Sequence, residues 1–268
     1  VTDDRLAALP QSEDLLLGSA GSSLIVTLNR PSRANALTES MMDDLRSLWR
    51  AVADADWVRS VIVTGAGAAF CAGADAGMLA QPRTRIGRDA AEELSFVPGP
   101  HLGVPVIVAV NGVCAGGGLH FVADADLCIA ADTARFVDPH VTVGQVSGME
   151  PVELMLKARR DVIVRMALLG RAETLDAAHA KDAGLVSEVV PADSLLAHAT
   201  ALGERIATGS REAIRATRAV IRDFEADLMR RHMDAGWQAV QDHWPHPDAH
   251  EGPQAFLEKR APRWSGSN

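Results

Sequence analysis

Apolar positions along the chain switch period several times. Leu24 to Leu28 is a β-rich run closed by Asn29-Arg30-Pro31, and proline cannot continue a central strand. From Thr38, a residue suited to capping, Leu45, Leu48, Trp49 and Val52 fall at helical spacing. Runs at 60–64, 104–110, 126–130, 134–137 and 185–190 read as further strands, with helices at 151–158, 161–169 and 175–182. This strand-helix rhythm predicts an α/β core with parallel strands. Beyond Pro191 the pattern is helical throughout, near 192–207, 211–232 and 249–260. The chain therefore divides into a loose leader (1–13), a core carrying the site (14–191) and a helical region (192–268) that docks on the site or on a neighbouring subunit. Residues 81–99, with Pro82, Gly87 and Pro98 around a short Ala/Glu segment, read as a mobile flap.

The stretch from Val104 to Gly148 concentrates the chemistry. A buried-strand pattern breaks at Asn111-Gly112 and runs into Gly116, Gly117 and Gly118, with His120 two residues on and Asp138-Pro139-His140 further along. Glycines between a strand and a helix let backbone approach a ligand, and amides at a helix start suit a developing negative charge. Gly65-Ala66-Gly67 follows a strand and mimics half of a dinucleotide fingerprint, but Phe70 stands where the third glycine belongs.

Composition narrows the classes. A formal net charge of −9 with no basic run argues against nucleic acid. Cys71, Cys114 and Cys128 show no paired spacing and read as reduced and buried, as in a cytoplasmic protein. The polar, acidic N-terminal stretch does not resemble a signal peptide, and no apolar run has the length of a membrane span. No zinc-type spacing links His120 and His140 to other donors, and His243, His246 and His250 read as a surface loop, so no metal is expected.

Several segments, in order, resemble the enoyl-CoA hydratase/isomerase, or crotonase, superfamily. They are Asn29-Arg30-Pro31 with Asn35-Ala36-Leu37, Phe70 to Asp75, Pro105 to Gly118, Gly184-Leu185-Val186, and Glu251 to Arg260. The resemblance implies a spiral of ββα repeats with a helical C-terminal region that builds a homotrimer or a dimer of trimers. It implies an oxyanion hole formed by the amides of Ala74 and Gly117. No tightly bound cofactor is implied, since coenzyme A arrives as part of the substrate. Arg33, Ala34, Ala72 and Asp75 would flank it, and Phe256 and Lys259 of a neighbouring subunit would reach its nucleotide end.

The chain departs from the family pattern where the hydratases carry two glutamates: His120 and His140 stand there. Histidine, with an ordinary pKa near 6.5, can serve as acid or base at neutral pH. His-based water activation therefore predicts hydration or hydrolysis of an acyl-CoA, with a pH limb near 6. The pair is similar to that of the 6-oxocamphor hydrolase type, which implies retro-Claisen cleavage of a cyclic β-diketone without CoA as the alternative. A non-catalytic family member is the third possibility. A carboxylate should fix the His140 tautomer; Glu150 is preferred and Asp138, two residues before it, is the other candidate.

Overall fold

The computed structural model describes residues 3–81 and 89–266. In chain order the strands are β1 (Leu15–Ala20), β2 (Ser23–Leu28), β3 (Ser60–Gly65), β4 (Ala69–Cys71) and β5 (Val106–Val110). They continue with β6 (Val113–Ala115), β7 (Leu127–Ala131), β8 (Arg135–Val137), β9 (Thr174–Asp176) and β10 (Glu188–Val190). Two sheets result among the described residues, one ordered β1-β2-β3-β5-β7-β10 and one ordered β4-β6-β8-β9.

Strands β3, β5 and β7 are apolar runs paired in parallel, buried on both faces. Each turns sharply into a short strand of the second sheet, so β3-β4, β5-β6 and β7-β8 are successive turns of one spiral. Asn111 ties two of these turns together: its Oδ1 accepts from the Gly65 amide at 3.0 Å and its Nδ2 donates to the Gly67 carbonyl at 2.9 Å. A Cβ on Gly112 would lie 2.0 Å from the Ala68 carbonyl oxygen, so only glycine lets the turns stack. The Gly65-Ala66-Gly67 motif is thus a strand-to-strand turn; no helix follows it to present amides to a dinucleotide.

Alternation along β3 sends Val61 and Val63 to one face and Ile62 to the other. The first face packs on the helix Glu39–Ala53, which buries Met41, Leu45, Leu48, Trp49 and Val52; the second packs under the helix Leu195–Ala207. Thr38 caps the former as its sequence position predicts, Oγ1 accepting from the Met41 amide at 3.2 Å. Thr38→Ala is expected to lower unfolding free energy by about 1 kcal/mol, read from a denaturant midpoint.

Some expectations change. The stretch expected as a loose leader holds a short helix, Asp4–Ala7, and places Leu9 in the core. Part of the proposed flap, 82–88, lies outside the described residues. Its later part forms the helix Ala90–Glu93 and buries Leu94, Phe96 and Val97, with the Trp49 indole N–H donating to the Phe96 carbonyl at 2.6 Å. The helical tail includes one helix of 33 residues, Arg211–His243, followed by Pro247–Leu257. Of the expected surface-loop histidines, His243 and His246 lie at the junction of these helices and His250 lies within the second. His243 and His246 stack there, and His246 caps the second helix.

Strands β4, β6 and β8 run parallel, so their carboxyl ends share one edge. From that edge emerge Ala72 to Asp75, Gly116 to Gly118 and Asp138 to His140.

Candidate active site

The first two loops meet through their backbones. Residue 74 sits in a parallel bridge with Leu37: the Leu37 amide donates to the Gly73 carbonyl at 2.8 Å, and the Asp75 amide donates to the Leu37 carbonyl at 2.9 Å. Residues 73 and 75 therefore serve the bridge, and alternation turns the Ala74 N–H to the opposite side. Gly117 lies on that side. A Cβ built on Gly117 would come 3.7 Å from the Ala74 nitrogen, and one on Gly73 would come 3.0 Å from the Gly117 nitrogen. Gly73 has φ +87° and a Cβ there would also meet the Ala115 carbonyl at 2.8 Å, so glycine is required for this approach.

The third loop brings His140 beside His120. His120 sits on the helix Leu119–Asp124 directly after the glycines, and His140 opens a 3-10 turn after Pro139. A Cβ on Gly116 would lie 3.5 Å from His140 Cε1, which puts the imidazole against the glycine loop. The helix Glu150–Leu154 then supplies two carboxylates one turn apart. Glu150 Oε1 lies 3.1 Å from His120 Nε2 and 3.4 Å from His140 Nε2. Glu153 Oε2 takes the other nitrogen of His120, Nδ1, at 2.5 Å.

The preferred partner for the His140 tautomer is corrected here. Asp138, not Glu150, holds His140 Nδ1, at 2.6 Å, and its second oxygen accepts from Ser147 Oγ at 2.5 Å. The chain turns after Pro139 instead of staying extended, which lets a side chain two residues back reach the ring. Glu150 instead bridges the two imidazoles. Glu153 and Ser147 did not emerge from the sequence; the i, i+3 spacing of Glu150 and Glu153 was the available signal.

The charges follow from these contacts. Burial works to discharge His140, but Glu150 and the bond to Asp138 outweigh it and hold its pKa up at about 9. Burial opposes the charge on His120 too, and Glu153 and Glu150 together push its pKa well above the ordinary value. Burial would raise Glu150, yet the two imidazoles hold it below the usual carboxylate range. Burial lifts Glu153, with His120 opposing. With its pKa held well above the ordinary value, His120 carries a positive charge at neutral pH. Both His120 nitrogens face carboxylate oxygens, and the doubly protonated ring donates to each when both carboxylates are ionised. Both shifts move the rings away from a charge change near pH 6.

A cavity of about 500 Å³ opens onto this edge, lined by Ala74, Gly117, His120, His140 and Glu150. Arg33, Ala34, Ala72, Asp75 and Phe256 line it as well. Phe256 lines the cavity of its own chain, because the helix Pro247–Leu257 folds back over the loop carrying Ala76 to Leu79. Lys259 is exposed and is not part of the lining, whereas Arg171 is, its guanidinium 5.1 Å from the Phe256 ring centroid. Asp75 is occupied in holding the loop: Oδ1 accepts from the Gly77 amide at 2.9 Å and Oδ2 lies 3.4 Å from Arg30. Trp237 and Val240 of the long helix close one wall, so the C-terminal region completes the site.

All three cysteines are free and buried, and burial pushes the thiols of Cys71 and Cys128 up to about 12, which leaves them inert at neutral pH. Among the described residues, no helix is long and apolar enough to cross a membrane. No group of three or more His, Cys, Asp or Glu residues among them is placed to hold a metal ion.

The model of the enoyl-CoA hydratase/isomerase family matches residues 19–267. The chain belongs to the enoyl-CoA hydratase/isomerase family. Within that family it is 35% identical over 243 residues to the probable enoyl-CoA hydratase echA8 of Mycobacterium tuberculosis, covering 90% of this chain and 93% of that protein. It is 28% identical over 254 residues to the 2,3-dehydroadipyl-CoA hydratase of Escherichia coli, covering 94% and 99% of the two chains. Among solved structures, EchA1_1 of Mycobacterium paratuberculosis superposes with a TM-score of 0.85 at 30% identity, over 96% of this chain and 100% of that one. The carnitinyl-CoA hydratase of Mycobacterium avium gives 0.83 at 28% identity, over 96% and 100%. The fold is therefore the crotonase spiral, and the chain is an enzyme-family member.

Proposed function

We propose that the protein adds water to an enoyl-CoA thioester, with Glu150 as general base and His140 as general acid. One juxtaposition carries the reading: the Ala74 and Gly117 amides share a cavity with the Glu150 carboxylate and the His140 ring. Glu150 takes a proton from water as the oxygen bonds to Cβ, and the displaced electron pair moves onto the thioester oxygen, held by the two amides. His140 then gives the Nε2 proton to Cα as the enolate collapses. The 3.4 Å separation of Glu150 Oε1 and His140 Nε2 lets the proton return to the ring after product leaves. His120, with both nitrogens committed, holds Glu150 in place and takes no proton itself. Three carboxylates thus offset the two imidazoles, and the site is not the net positive one that two histidines alone imply.

Arg33 and Arg171 at the same cavity are the cations placed for the coenzyme A phosphates. The exposed Val220, Ile221, Phe224 and Leu228 of the long helix support docking of that region in a homotrimer, which sedimentation velocity would test.

A second reading, hydrolysis of a cyclic β-diketone, is favoured by the pair of imidazoles against Glu150, since two cations also stabilise a departing enolate. Equilibrium binding of CoA or a thioester analogue separates the two. Hydration requires such binding; a protein that ignores CoA yet turns over a diketone sinks the first reading.

The pH dependence follows in sign. The His140 imidazolium is present below about 9 and lost above it, and Glu150 stays ionised well below neutrality. The profile of kcat/KM is expected to be level through neutral pH with an alkaline limb near 9. An acid limb near 6 would mean that a neutral histidine is the base instead.

A further inference from the structure

We infer that Glu153 is a positioning residue: through His120 it fixes the orientation and charge of Glu150 without touching substrate. The inference rests on Glu150 acting as the base. Glu153 follows Glu150 by three residues on the same short helix, so both carboxylates project from one face toward the His120 ring. They grip opposite nitrogens, Glu150 at 3.1 Å from Nε2 and Glu153 at 2.5 Å from Nδ1. The ring is buried and stands edge-on to Phe96, with centroids 6.2 Å apart, which leaves it little freedom to turn. Glu153 lines a different space, a cavity of about 630 Å³ beneath the long helix Arg211–His243, and does not line the catalytic one. It therefore reaches the chemistry only through His120.

Among the described residues, Glu153 is the carboxylate that meets His120 Nδ1. Around Glu153 the second cavity presents Asp124, Lys157, Arg215, Arg218, Arg222, Glu225, Arg230 and Asp234. Asp124 is held by the Gly99 amide at 2.7 Å and by Arg222 at 3.2 Å, and Lys157 donates to the Ala125 carbonyl. Arg218 is held by Asp126 at 2.7 Å, Arg222 also lies 3.6 Å from Glu225, and Arg215 bonds Glu212 at 2.8 Å. On the catalytic side the charged groups facing His120 are Glu150 and, beyond it, His140, itself held by Asp138. Without the Glu153 charge, His120 loses one of its two anions and is free to go neutral. A neutral His120 keeps at most an uncharged N–H for Glu150, so His140 becomes the cation that remains beside that carboxylate.

The test compares Glu153→Gln with Glu153→Asp. Gln preserves a hydrogen-bond acceptor for Nδ1 and removes the charge; Asp restores the charge on a shorter arm. Histidine nitrogens and glutamate carboxyl carbons are followed by NMR against pH, and kcat/KM for an enoyl-CoA is measured over the same range. In E153Q the His120 titration is expected to fall by roughly 1–3 pH units, and the acid limb of kcat/KM to rise, with kcat reduced and KM unchanged. E153D is expected to return both toward wild type. An unmoved His120 titration in E153Q, or a shift with no change in the acid limb, overturns the proposal. The NMR arm needs no substrate. If no thioester turns over while the His120 and Glu150 signals still shift together, the positioning stands and only the assigned reaction is wrong.

Discussion

Glu150→Gln is expected to lower kcat/KM by roughly 10²–10⁴-fold, the range for loss of a positioned general base. Gln has nearly the same shape, so the buried contacts with both histidines are kept as far as hydrogen bonding goes. What disappears is the negative charge, and with it the acceptor for the water proton. The loss should fall on kcat and leave KM little changed if the carboxylate acts in the chemical step as proposed. His140 also loses the anion that does most to keep it protonated, so any residual activity should show its alkaline limb below the wild-type value of about 9. Steady-state kinetics across pH measures both effects. An E150Q variant with undiminished kcat would remove Glu150 from the chemistry.

Gly117→Ala is expected to lower kcat roughly 10²–10³-fold, the cost of losing an oxyanion donor, with little change in melting temperature. An added Cβ would meet Leu37 Cδ1 at 3.6 Å and the Ala74 nitrogen at 3.7 Å, which are ordinary contacts that the fold accepts. On the proposed reading, its methyl nevertheless occupies the space that the thioester oxygen needs between the two amides. Gly73→Ala would be a poorer probe, since φ of +87° and the 2.8 Å approach to the Ala115 carbonyl make it a folding defect first. A stable, fully active G117A enzyme would show that the two amides do not form the oxyanion site.

The sequence made the amide loops legible because glycine is needed where two backbones nearly touch, and Gly73 and Gly116–Gly118 mark that approach. The long strands were legible for the same kind of reason: β3, β5 and β7 are unbroken apolar runs. Of the three-residue strands, β8 lies in the run 134–137 and β10 in 185–190, both expected as strands, whereas β4 and β6 are too short to show a period and β9 overlaps the start of the expected helix 175–182. The histidine pair was visible, but its partners were not. Which carboxylate reaches which nitrogen depends on the turn at Pro139 and on the one-turn helix at Glu150. Neither leaves a periodic signature. Preferring Glu150 over Asp138 for His140 came from the resemblance, which places an acidic residue near position 150, and the geometry reversed it while giving Glu150 the more central place between the two rings. Lys259 is exposed in its own chain, and its expected contact with coenzyme A belongs to a neighbouring subunit's cavity.

The central claim is that this site makes and holds a thioester enolate. Exchange of the α-hydrogens of a saturated acyl-CoA with solvent D₂O, followed by proton NMR, isolates that step from the addition of water. The wild-type protein is expected to deuterate Cα, and G117A to bind the thioester while exchanging far more slowly. Binding of the acyl-CoA by the wild-type protein with no α-hydrogen exchange would contradict the account.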